Sequence, residues 1–162
     1  MEEKKNKQQN KKEKVYVVDT SVIIYKKISK LAKRGIIKGL ILIPNAVIAE
    51  LENLANKGQD VGFDGLEEIA KLHKIYGIKI KFIGPRPSEH QIRFAKSGEI
   101  DALIRGLAYQ NNATLITADN VQAKSALAYN IRIFFIKSRK PKPKKKFLFW
   151  DKEKIPVIGK RI

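Results

Sequence analysis

Five short runs rich in β-branched residues recur along the chain: Val15-Tyr-Val-Val18, Leu40-Ile-Leu-Ile43, Ile78 to Ile83, Thr114-Leu-Ile-Thr117 and Ile131 to Ile136. Between them, apolar residues return at helical spacing. Runs this short and this apolar suit strands buried on both faces, and parallel strands must be joined by crossovers, most often helices. The order therefore predicts an α/β fold with a mainly parallel sheet covered on both sides. One helix should carry Ile24, Ile28 and Leu31 on a single face and stop at Gly35; the next, capped by Asn45, should bury Val47, Ile48, Leu51 and Leu54. Further helices are predicted from about Phe63 to Tyr76, after Pro85-Arg-Pro-Ser88, from Gly98 to Gln110 and from Asn120 to Tyr129.

A chain of 162 residues has room for one such domain. Its 34 Lys and Arg stand against 16 Asp and Glu, a net charge of +18, yet 43% of residues are hydrophobic, so the charge excess does not preclude a folded core. The charge is uneven. Residues 1–14 hold six Lys and three Glu with almost nothing apolar, and are predicted to be a disordered basic segment; residues 15–136 form the domain. Residues 137–162, a basic extension containing aromatics, hold 11 basic and 2 acidic residues. A field of this sign draws in polyanions, which favours nucleic acid or an anionic membrane as partner. With no cysteine there is no disulfide scaffold and no thiol nucleophile. The uncharged apolar stretch from Gly39 to Ala49 falls well short of the ~20 residues of a membrane helix. The first fourteen residues lack the apolar core of a secretory signal, and a soluble, cytoplasmic protein is expected.

Four acids fall at particular places. Asp19 and Asp119 directly follow predicted strands, where open α/β sheets place their ligands. Glu50 lies in the second turn of the helix leaving the second strand, and Asp101 in the first turn of the helix after Gly98. Taken singly, an Asp at a strand end is as readily a helix N-cap, and Asp101 a first-turn partner of the helix dipole. Taken together they are harder to explain without a cation. Two carboxylates ~4 Å apart repel by about 4 kcal/mol at an effective dielectric of 20. Oxygen donors with no His or Cys among them suit a hard divalent ion, Mg²⁺ or Mn²⁺, whose chemistry serves phosphodiester hydrolysis. Glu99 reads as a first-turn dipole partner, and His73 and His90 have no partner at metal-ligand spacing.

In order and spacing, Val17-Val-Asp19-Thr-Ser, Pro44 through Glu50-Leu, Gly98-Glu-Ile-Asp101-Ala-Leu-Ile and Leu115-Ile-Thr-Ala-Asp119 resemble the motifs of the PIN domain. The resemblance spans Val15 to Ile136. It implies a three-layer α/β/α sandwich with a five-stranded sheet and a metal-dependent endoribonuclease acting on single-stranded RNA or rRNA. Asp19, Glu50, Asp101 and Asp119 fall on the family's catalytic and metal-binding positions, with Ser21 and Thr117 as polar supports. By the same resemblance, homodimers, antitoxin partners and ATPase partners are expected among such domains. Where many members have a further acid after the last motif, this chain reads Asn120-Val-Gln122, so one ion or two stays open.

In the extension, Lys142, Lys144, Lys145 and Lys146 precede Phe147-Leu-Phe-Trp150, a pairing of phosphate-neutralising charge with aromatic faces for base stacking. A solvated tail whose aromatics dock on the domain reads equally well. Two other functions compete. A phosphoacceptor receiver would want paired acids before the first helix, and Asp19 stands alone there. A non-catalytic RNA-binding scaffold of the same fold would have shed one or more of the acids, and all four are present. No phosphate-binding G-x-x-x-x-G-K-[ST] motif occurs, so the chain is not itself an ATPase.

Overall fold

The computed structural model describes residues 13–95 and 98–137. Its elements run β1 (Val15–Val18), α1 (Thr20–Ile24), α2 (Ile28–Lys33), β2 (Gly39–Pro44), α3 (Asn45–Asn56), α4 (Asp60–Leu72), β3 (Ile78–Ile83), α5 (Glu89–Phe94), α6 (Glu99–Gln110), β4 (Thr114–Thr117), α7 (Asn120–Ala128) and β5 (Ile133–Phe135). The strands form one sheet in the order β3-β2-β1-β4-β5, and every pairing is parallel. Helices flank it in the three-layer α/β/α arrangement that the sequence predicts. The expected basic segment at residues 1–14 and the extension at 137–162, with Lys142, Lys144, Lys145, Lys146 and Trp150, lie outside the described residues except for Glu13, Lys14 and Lys137.

Burial follows from position in the sheet. Val17, Val18, Ile41, Ile43, Leu115 and Ile116, on the three central strands, are wholly buried, as strands covered on both faces require. The edge strand β3 instead alternates: Ile78 and Ile80 pack on the core while Lys79 and Lys81 face solvent, a charged rim that discourages pairing with another chain. The chain builds β1, β2 and β3 to one side, then returns across β1 to lay down β4 and β5. The order reverses between β1 and β4. In sheets of this kind the crevice beyond the carboxyl ends at the reversal is where ligands bind. Among the described residues no helix is long and apolar enough to cross a membrane.

Several boundaries differ from the sequence reading. The single helix expected after β1 is two, because Lys26 adopts a left-handed φ of 52° that interrupts the ladder. Ile24 and Ile28 keep helical spacing across the break, so periodicity does not reveal it. Asn45 does not cap α3: Pro44 holds that position as the last residue of β2, and the Asn45 side chain donates to the Gly84 carbonyl at 2.7 Å. Helix α4 starts at Asp60 and stops at Leu72, earlier than expected at both ends. At α5 the signal is legible, since Ser88 and Gln91 form a reciprocal capping box.

Two glycines bring α3 and α4 together. A β-carbon on Gly62 would lie 2.3 Å from the Ala55 amide nitrogen and 2.6 Å from the Leu51 carbonyl oxygen, and one on Gly65 would lie 2.4 Å from a Leu51 methyl. This close crossing braces the helix that carries Glu50. Buried Glu68 ties α4 to α2 as well, accepting from the Ser29 amide at 2.9 Å. Gly62→Ala sets a methyl against backbone that cannot yield, and should lower unfolding free energy by roughly 1–3 kcal/mol in urea denaturation.

Candidate active site

The cleft at the carboxyl edge of β1 and β4 has a volume of about 410 Å³ and is lined by Asp19, Thr20, Ser21, Ile24, Glu50, Asn53, Leu54, Ile92, Asp101 and Asp119. All four acids named from the sequence lie on it, delivered by β1, α3, α6 and β4.

Asp19 is 3% exposed and holds the N-cap position of α1, yet its side chain makes no capping bond. Its Oδ2 accepts instead from the Ser21 hydroxyl at 2.6 Å and the Thr117 hydroxyl at 2.7 Å. Those hydroxyls are themselves oriented by backbone, since the Ala118 amide donates to Ser21 Oγ and the Asp119 amide to Thr117 Oγ1, both at 3.0 Å. The carboxylate is thus held through one oxygen by a chain of hydrogen bonds linking the ends of β1 and β4. Asp119 does cap its helix, accepting at Oδ1 from the Val121 amide at 2.6 Å and the Gln122 amide at 2.9 Å. Glu50 accepts from the Thr20 hydroxyl through Oε2.

The electrostatics are those of negative charges crowded out of water. Burial pushes the Asp19 carboxyl above its ordinary pKa, the Ser21 and Thr117 hydroxyls oppose that, and the charge of Asp119 adds to it. Glu50 is raised by burial and by Asp19 and Asp101, against the Thr20 hydrogen bond. Asp101 is raised by burial, Asp19 and Asp119, with Arg105 pulling it down. Among the described residues no three His, Cys, Asp or Glu side chains close into a metal-ligand cluster. The acids share a cleft without converging on a point, as mutual repulsion favours. Their chemistry fits a hard divalent cation: every donor is oxygen, and the groups raised by one another's charge are those a cation would relieve.

Thr20, Asn53, Arg105 and Gln122 are not singled out by sequence reasoning. Thr20 sits inside the Asp19-Thr-Ser motif and could have been found there; the other three depend on how α3, α6 and α7 turn. Glu99 opens α6 and lines a neighbouring cavity with His90, not this cleft. His73 packs its ring 6.2 Å from Phe82, and His90 lies 4.5 Å from Phe94.

A carboxyl with a raised native pKa makes the folded state bind more protons than the unfolded one between the ordinary and the raised values. Stability from that group therefore falls as pH rises through this window. Asp101→Asn should melt higher than the parent at pH 7.5 in EDTA, by roughly 3 °C for each ~1 kcal/mol relieved. The difference should shrink as pH is lowered toward the ordinary carboxylate range, a comparison readily made by differential scanning fluorimetry.

The PIN domain pattern matches residues 16–127. A KH and PIN-domain containing protein of Methanocaldococcus jannaschii is 42% identical over 125 residues, 75% of this chain and 20% of that protein. A PIN and TRAM-domain containing protein of Synechocystis is 31% identical over 121 residues, 72% of this chain and 32% of that protein. The chain thus spans between a fifth and a third of the length of these relatives. A solved domain of a functionally unknown protein from Methanocaldococcus jannaschii superposes with a TM-score of 0.73 at 40% identity, covering 80% of this chain and 95% of that one. With motif order, sheet topology and relatives in agreement, the chain belongs to the PIN domain family, whose members are generally nucleases.

Proposed function

We propose that the cleft is the active centre of an endoribonuclease that hydrolyses phosphodiester bonds of single-stranded RNA with Mg²⁺ or Mn²⁺ held by Asp19, Glu50, Asp101 and Asp119. The observation that carries this reading is the presence of all four carboxylates on one cleft at the switch point of the sheet. A divalent ion bound there would draw in the phosphate, stabilise charge on the departing oxygen and acidify a water. The chain's own residues prepare for that. Asp19 is locked through Oδ2, so its orientation does not depend on the ligand. Thr20 steadies Glu50, and Asp119 keeps one oxygen on the α7 amides, which fixes the other relative to the sheet. Ser21 is not a nucleophile in waiting: it donates to Asp19 and accepts from the Ala118 amide. Among the described residues no histidine lines the cleft, and the attacking group in this reading is water.

The substrate class rests on the charge of +18 and on the company such domains keep. One relative joins its PIN domain to a KH domain, a module class that clamps single-stranded nucleotides. The second reading, a non-catalytic RNA-binding scaffold, is favoured by one observation, that no three acids close into a metal cage among the described residues. Cleavage of a labelled single-stranded RNA separates the two. The parent should cut in Mn²⁺ and stop in EDTA, Asp19→Asn should be inactive, and Thr117→Val should lose about tenfold through loosened Asp19. Equal cutting by the parent and Asp19→Asn, insensitive to EDTA, ends the nuclease reading; binding without cutting supports the scaffold.

The basic extension is proposed as an RNA grip, with Lys142, Lys144, Lys145 and Lys146 on phosphates and Trp150 stacking on a base. Ending the chain at Lys137 should weaken RNA binding and flatten the plot of log affinity against log salt by roughly 0.7 for each phosphate no longer neutralised. An unchanged slope removes the extension from the binding surface.

A further inference from the structure

Three helices among those described carry an acid four residues before a base: Glu67 and Lys71, Glu89 and Arg93, Asp101 and Arg105. This spacing, acid first, is the order that favours an ion pair along a helix. The first two pairs close, at 3.7 Å and 2.7 Å. Asp101 and Arg105 make no ion pair among the described residues.

Arg105 is instead engaged by Gln122 on the facing helix. Its side chain is wholly buried, its Oε1 accepts from Arg105 Nη1 at 2.6 Å, and its Nε2 donates to the Asp101 main-chain oxygen at 3.1 Å. Its own amide donates to Asp119 Oδ1 at 2.9 Å. A buried amide engaged at both ends cannot swing away without leaving polar atoms unpaired. The guanidinium is therefore anchored on α7, although an acid that would suit it stands one turn away on its own helix.

We propose that Gln122 is a positioning residue that holds the Arg105 guanidinium off the Asp101 carboxylate, keeping Asp101 available to a divalent cation in the cleft. This rests on reading the cleft as a metal site. Three consequences follow from one geometry. Removing the anchor lets Arg105 fold onto Asp101 and occupy a cation ligand. Removing the guanidinium as well takes the competitor away. Removing the guanidinium alone leaves Asp101 free.

The experiment is calorimetric titration of the purified full chain with Mn²⁺, without RNA, so that no activity is read. Gln122→Met, of similar volume, should bind Mn²⁺ about tenfold more weakly than the parent. The double variant with Arg105→Met should recover the parent's affinity, and Arg105→Met alone should bind no more weakly than the parent. Circular dichroism and melting in EDTA check that each variant is folded; if Gln122→Met is not, Arg105→Met alone still decides, since weakened binding there would make Arg105 a support and not a competitor. Unchanged affinity in Gln122→Met, or a double variant as weak as the single one, overturns the inference while leaving the metal site standing. A parent that takes up no Mn²⁺ overturns the metal reading itself, and the inference with it.

Discussion

Like charges must be kept close in this protein, and much of its local architecture serves that constraint. Carboxylates from a strand end, two helices and a second strand end share one rim, and burial and mutual repulsion raise three of them. What holds them is backbone. Asp19 is fixed by hydroxyls that backbone amides orient in turn, Asp119 by the first amides of α7, and Glu50 by a helix clamped through glycines to its neighbour. Supports of this kind do not yield to side-chain repulsion, so the site stores unfavourable electrostatics that a cation or a proton can relieve. A stability cost at one charged edge is what pre-organised sites commonly carry.

The topology explains why these acids and not others. Strand ends at the reversal of sheet order leave a crevice that no crossover covers, and β1 and β4 are the strands on either side of it. The acids that pair elsewhere in the described helices are spent on ordinary work. Asp64 pairs with Lys26 at 2.7 Å, Glu52 with Arg86, and Glu68 receives the Ser29 amide.

Much of this is legible in the residues. The bounds of β1, β3, β4 and α6 match the sequence reading, because β-branched runs and a glycine start leave little ambiguity. Asp19 and Asp119 reach that edge by directly following β1 and β4, and Glu50 and Asp101 by standing in the early turns of α3 and α6. Less legible are features set by tertiary contact. The break at Lys26 is hidden by an apolar period that continues across it, and the start of α4 depends on where Gly62 meets α3. Gln122 looks, in sequence, like a departure from a family pattern; its part in the site emerges only once α6 and α7 lie side by side.

The hydrogen bond from Thr117 to Asp19 joins residues 98 positions apart. On a ribosome, the stretch ending before β4 would already present Asp19, Glu50 and Asp101, but β1 would have an open flank and Asp19 would lack one of its two hydroxyl partners. Contacts so distant in sequence form late in folding. Assembly of the complete acidic edge is therefore tied to emergence of β4 and the start of α7, which close the open flank of β1 and bring Asp119 to the cleft.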